Sequence, residues 1–282
     1  MHDHPPDTTH TMWSDPGAHA PLLAALSDHP ATIADRLEQF VIHHDIARNL
    51  KFGVPAAAEN DRGLRQTSQL LSTAITRDPR PLTEHRAIHN YLYVTCRDFA
   101  MLAVATLRHH GIPARLRVGF ASYFNSGLWL DHLVCEHQST GTWSILDAQL
   151  GPLARAGFRI GFDIADVPAS AWRPAAHIWQ EVRARTLDPA TCGLPSAGIA
   201  GEWWIAASVI RDAGALAGTE ALPWDFWGLG QTFQTARHVT PDQADQIDHL
   251  AAALIPPPPD RTAAQALLAD FPWATPPRNP NE

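Results

Sequence analysis

Between Thr95 and Gly111 the apolar residues Phe99, Leu102, Ala103 and Leu107 recur at helical spacing behind a short polar entry, Thr95-Cys96-Arg97-Asp98. Thr95 suits an N-cap, and Asp98, three residues on, suits the return half of a capping box. Gly111 suits the residue just past a helix end, and Pro113 blocks continuation. The pattern predicts a helix from Cys96 to His109 or His110. Beyond it, Leu116, Val118 and Phe120 alternate with Arg115, Arg117 and Gly119, the period-two spacing of a strand. Trp129 to Gln138 reads as a second strand, with His132, Val134 and Glu136 on one face and Leu133, Cys135 and His137 on the other. Ser139-Thr140-Gly141-Thr142 reads as a turn, and Trp143 to Gln149 as a third strand.

Ile33, Leu37, Phe40, Val41 and Ile46 predict a helix over Ala31 to Asn49, and a second is expected over Gln66 to Thr76. After Asp147 the chain reads as irregular to Val167. Helices follow over Ala169 to Ala184 and around Trp203 to Leu216, with a loop at Cys192-Gly193-Leu194-Pro195 between them. Residues 1–20, polar and punctuated by proline, read as a loose tail. Ile255-Pro256-Pro257-Pro258-Pro259 marks the end of the packed part and leaves 256–282 as a Pro-rich tail with a weak helix over Thr262 to Ala269. The organisation expected is one α+β domain over 21–255, built on a core at about 80–150 with helices added on both sides.

Charge and cysteine usage narrow the function. A net charge of −8 in 282 residues leaves no basic footprint for nucleic acid. No stretch reaches the apolar length of a membrane span, and the start Met1-His2-Asp3-His4-Pro5-Pro6 lacks the basic and apolar regions of a signal peptide. Three widely spaced Cys argue against a disulfide framework and fit a reducing compartment, so a cytoplasmic location is expected. Lys51 is the only lysine among the cations, which points to a GC-rich bacterial genome.

The chemistry centres on Cys96. At the first turn of a helix, the dipole and unsatisfied N–H groups favour a thiolate. If the strand pair closes at its turn, Asp147 falls near Val134 and diagonal to His132 on the same face, about 7 Å away. A thiolate attacks a carbonyl carbon, an imidazole takes the thiol proton and returns it to the leaving group, and a carboxylate fixes the imidazole tautomer. A metal site is the rival. His132, Cys135 and His137 cannot converge on one ion, because strand alternation puts the last two opposite the first. No His-Glu-x-x-His is present, and neither metal nor cofactor is expected. A non-catalytic binding module is the third reading. Arg97 is a candidate to influence the thiol or bind a substrate carboxylate, with plain solvent exposure as its alternative. Trp129 and the aromatic loop holding Trp224, Asp225 and Trp227 are candidates to line a substrate pocket, with packing as theirs. His43-His44-Asp45 is expected on a helix, where one His is a candidate to face the site.

Cys96-Arg97-Asp98-Phe99-Ala100, Leu107 to Arg115 (with Gly111-Ile112-Pro113-Ala114-Arg115), Gly119-Phe120, Tyr123-Phe124, Asp131-His132, Trp143 and Leu146-Asp147-Ala148-Gln149 together resemble the transglutaminase-like superfamily. The resemblance implies a papain-like core in which a catalytic helix packs on an antiparallel sheet, with Cys96 as nucleophile, His132 as base and Asp147 as its orienting partner. Gln39 to Asp45, Ala171-Trp172, Val209 to Asp212 and Leu222 to Gly228 extend the likeness to bacterial transglutaminase-like proteins of similar length. Three positions depart from those relatives. Leu133 stands where Trp is common, Gly151 where an acid is common, and Val94 where a small residue is common. The expected activity is acyl transfer through a Cys96 acyl-enzyme, resolved by water as in an amidase or protease, or by an amine. The expected partner is a small-molecule, peptide or acyl-thioester substrate, in preference to large proteins, nucleic acid or membrane.

Overall fold

The computed structural model describes residues 7–138 and 141–277. Residues 1–6 and 278–282 of the expected tails, and Ser139-Thr140 of the expected turn, lie outside them. In chain order the helices are α1 (Ala20–Ala24), α2 (Pro30–Leu37), α3 (His44–Asn49), α4 (Thr67–Arg77), α5 (Cys96–His109), α6 (Pro152–Phe158), α7 (Ala175–Arg183), α8 (Glu202–Leu216), α9 (Leu229–Ala236), α10 (Pro241–Ala253) and α11 (Arg261–Leu268). The strands are β1 (Val41–His43), β2 (Leu92–Val94), β3 (Ala114–Ala121), β4 (Leu130–Gln138), β5 (Trp143–Leu146), β6 (Trp172–Pro174), β7 (Gly193–Leu194) and β8 (Ile199–Ala200). The main sheet has the order β5-β4-β3-β6, and β1-β2 and β7-β8 are separate pairs. The fold class is α+β. The chain divides into two compact units, one holding residues 7–115 and 134–167, the other 116–133 and 168 onward.

In the first unit, α5 begins and ends where its sequence predicts. It is buried from Cys96 through Arg108. Phe99, Leu102, Ala103 and Leu107 share one core with Ile33 and Leu37 of α2, Leu70 and Leu71 of α4, Cys135 of β4 and Leu146 of β5. Each Leu so buried contributes about 1.5–3 kcal/mol. The predicted helix over Ala31 to Asn49 is instead α2, then β1, then α3. The β-branched pair Val41-Ile42 runs parallel to Leu92-Tyr93, and tertiary pairing overrides helical spacing there. The irregular reading after Asp147 missed α6, whose N-terminal turn is held by a distant carboxylate: Leu153 N–H lies 3.0 Å from Glu38 Oε1, and Ala154 N–H 3.3 Å. Residues 7–20 are not loose. Trp13 is buried, and its carbonyl accepts the N–H of Thr67 at the start of α4.

In the second unit, α8 is buried along its length among α7, α9, α10 and α11. Arg117, on what reads from sequence as the polar face of β3, is buried and forms a two-pronged pair with Asp212 of α8 at 2.9 and 3.0 Å. The N–H of Val118 donates to the same carboxylate at 2.8 Å. A buried guanidinium needs such complete pairing. The predicted helix over Ala169 to Ala184 starts late, because 172–174 pairs with 119–121 as β6. Pro174 biases its predecessor toward extended backbone. The expected Pro-rich tail is packed as far as residue 277: Ala264 and Leu268 of α11 and Ala274 join the core of this unit.

Candidate active site

Cys96 is the first residue of α5, and the reciprocal capping box between Thr95 and Asp98 closes that helix start. Thr95 donates from its N–H and hydroxyl to Asp98 Oδ2 at 3.0 and 3.1 Å. Asp98 is completely buried, which pushes its carboxyl up from the ordinary range, while Arg97 and the Thr95 donors oppose that push. Arg97 is itself 0% exposed. Its guanidinium bonds Asp98 Oδ1 at 3.0 Å and the Arg65 carbonyl at 2.6 Å, and lies over the Trp13 ring. The solvent-exposed alternative for Arg97 is thus corrected. The cation is engaged in scaffolding the helix start and is not presented to solvent as a carboxylate-binding group. Cys96 is 8% exposed, whereas Cys135 and Cys192 are 0% exposed. Burial pushes the Cys192 thiol up to about 11.

Asp147 follows β5 directly. The ladder pairs Cys135 with Leu146 and Glu136 with Ile145 and ends there, with Asp147 the next residue after it. Its N–H donates to the Ile164 carbonyl at 2.9 Å, and its Oδ1 accepts from Gln149 N–H at 3.0 Å. The side chain is buried and the carboxylate is locally anchored.

His132 lies on β4, buried, in the second unit. Two rings stand edge-on to its imidazole: Phe124 with a centroid separation of 4.8 Å and Tyr123 at 6.0 Å. Its carbonyl accepts the indole N–H of Trp172 at 3.0 Å. From the sequence Tyr123-Phe124 carries no role and Trp172 falls in a helix, so neither the rings beside the imidazole nor the indole on the His132 carbonyl is expected. Pro168 and Pro174 around Trp172 were the available signal. Trp129 is half-buried, with the Arg173 guanidinium 4.6 Å from its ring centroid. The late aromatic loop splits. Trp224 is 39% exposed, and Asp225 Oδ2 accepts the Leu222 N–H at 2.9 Å, which folds the turn back on itself. Trp227 is buried against Gly214 and donates to the Ala274 carbonyl at 2.8 Å, so packing accounts for it.

His43-His44-Asp45 is not on one helix: His43 ends β1, and its Nδ1 accepts the Asp45 N–H at 3.2 Å to start α3. Among the described residues no group of three His, Cys, Asp or Glu side chains is placed to hold a metal ion. No helix among them is long and apolar enough to cross a membrane.

Residues 75–186, less than half of the chain, match the family model described as Transglut_core, transglutaminase-like superfamily. No curated protein matches the chain. A solved structure described as a "putative cysteine protease" from Cytophaga hutchinsonii is 25% identical over 42% of this chain and 42% of that one, with a TM-score of 0.20. The chain spans well under two thirds of that protein's length.

Proposed function

We propose that the chain, whose residues 75–186 match the transglutaminase-like superfamily model, is a cysteine-dependent acyl-transfer enzyme with Cys96 as nucleophile, His132 as base and Asp147 as the group that orients the imidazole. The observation that carries the reading is Cys96 at the first position of a capped, buried helix, more accessible than either other thiol. Helix N-termini favour the thiolate through their dipole and unsatisfied N–H groups. Strand alternation adds support, since His132 and Val134 share one face of β4 and the Cys135–Leu146 register, continued by one residue, would bring Asp147 toward Val134.

In the reaction proposed, His132 accepts the thiol proton as Sγ attacks the carbonyl carbon of an amide or thioester. The Cys96 backbone N–H, which has no acceptor inside its own helix, is one donor to the oxyanion. The C–N or C–S bond then breaks, the imidazolium returns its proton to the departing amine or thiol, and an acyl-enzyme remains on Sγ. Water or an amine attacks that thioester, His132 takes the proton of the incoming group, and Sγ leaves. A small or peptide-sized acyl donor is favoured, because the base sits among aromatic rings, Phe124 and Tyr123, suited to an apolar substrate surface.

A panel of short amides and acyl thioesters, assayed beside amine incorporation into a denatured glutamine-rich protein, tests the substrate class. Turnover of the small panel that is lost in Cys96→Ala is expected. Labelling of the large protein alone would replace the proposal with a protein-modifying transglutaminase. No turnover in any arm, with Cys96 no more reactive than the buried thiols, would favour the binding module.

A further inference from the structure

We infer that Trp172 is a positioning residue for the base, acting on the His132 peptide through a gap left by Gly119; the inference rests on the proposed triad. Its geometry lies within one unit of the chain. β6 pairs with β3, with Trp172 opposite Ala121 and Pro174 opposite Gly119. From that edge strand the Trp172 indole crosses β3 and donates its Nε1–H to the His132 carbonyl on β4, at 3.0 Å. The crossing is possible because residue 119 has no side chain. A Cβ there would sit 2.4 Å from Cζ2 and 2.8 Å from Cε2 of the indole, and 2.2 Å from the Arg173 carbonyl oxygen. Trp172 is 2% exposed, so its N–H has lost water and this carbonyl satisfies it.

The bond lies beyond the β5 side of the ladder. The last described pair between β4 and β5 is Cys135 with Leu146, three residues beyond His132. An indole N–H that fixes the 132–133 peptide fixes the Cα–Cβ direction from which the imidazole projects. Phe124 and Tyr123 then restrict the ring from its sides. Orientation of a catalytic imidazole to within a few tenths of an ångström governs proton transfer, so a backbone anchor outside the triad has leverage on it.

The test uses the full chain, with the alkylation rate of Cys96 followed from pH 5 to 9 in the wild type, Trp172→Phe, His132→Gln and the double variant. Trp172→Phe removes the N–H and keeps a ring. Should it fail to fold, site-specific replacement of Trp172 by benzothienylalanine, which exchanges N–H for sulfur in a ring of the same size, takes its place. The expected result is a rate about fivefold lower at neutral pH in the Trp172 variant, the loss of one buried hydrogen bond, with an altered pH profile. In the His132→Gln background the Trp172 change should have no further effect, since a residue that acts through His132 has nothing left to position. Equal effects of the Trp172 change in both backgrounds, or an unmoved profile, overturn the positioning role. A His132→Gln variant that leaves Cys96 reactivity unchanged overturns the triad itself, and the positioning role falls with it.

Discussion

At the scale of single residues, the three cysteines are the sharpest contrast in the chain. Cys192 is sealed from solvent and its thiol is pushed up to about 11, so at neutral pH almost none of it is thiolate. Cys135 is equally buried, while Cys96, at the head of α5, keeps 8% of its surface exposed. Competitive alkylation with peptide mapping at pH 7 should therefore label Cys96 first and Cys192 last. Faster labelling of either buried thiol would contradict the assignment. Behind Cys96, the pair Arg97–Asp98 is fully buried, and removing one partner strands a charge. Asp98→Ala should cost about 3–5 kcal/mol in urea unfolding, whereas Thr95→Ala, which loses only cap bonds, should cost about 1 kcal/mol. Equal costs would mean that the buried ion pair is not what Asp98 supplies. The capping box was legible from Thr95-Cys96-Arg97-Asp98 because it is written within four neighbouring residues. The burial of Arg97 was not, because the Arg65 carbonyl and Trp13 ring that receive it come from remote segments.

Among the elements, α6 shows what local reading cannot supply. The helix is short, and its first turn takes its cap from the Glu38 carboxylate of the segment after α2, while Arg155 bonds Asp35 at 2.9 Å. Gly151 makes room for it: a Cβ there would lie 2.7 Å from the Cβ, Cδ and Oε1 of Glu38. Glu38→Ala should destabilise by about 1 kcal/mol, the usual value of a cap. Gly151→Ala should cost clearly more in the presence of Glu38 than in Glu38→Ala, because the clash is with that side chain. Additive costs in a double-mutant cycle would refute the contact as the cause. Helices whose apolar stripe and caps are contiguous, α4, α5 and α8, were readable to within a residue or two. The segments misread as helix, 41–43 and 172–174, are strands set by partners far away in sequence, β2 and β3. The β4–β5 register, Cys135 opposite Leu146, was legible because the two strands share one short connection.

For the molecule as a whole, buried polar groups tie stability to pH. His137 is buried, its Nε2–H donates to the Ala165 carbonyl at 3.0 Å, and its Nδ1 has no partner among the described residues. Burial therefore lowers its pKa from 6.5. The unfolded chain binds the proton more readily, so stability rises with pH between the folded value and 6.5, is complete above that, and is lost as pH falls below it. Urea midpoints at pH 5.5 and 7.5 should show this slope in the wild type and less of it in His137→Gln. An unchanged slope would place the effect elsewhere. The remaining question at this scale is whether the chain carries out acyl transfer through one sulfur, and trapping the acyl-enzyme answers it most directly. The full chain is incubated with a series of short acyl thioesters, quenched in acid and mapped by peptide mass. The account predicts one acyl group on the peptide containing Cys96, absent from Cys96→Ser and slower to form in His132→Gln. Consumption of a thioester with the acyl group on Cys135, Cys192 or Lys51, or undiminished in Cys96→Ser, would contradict it.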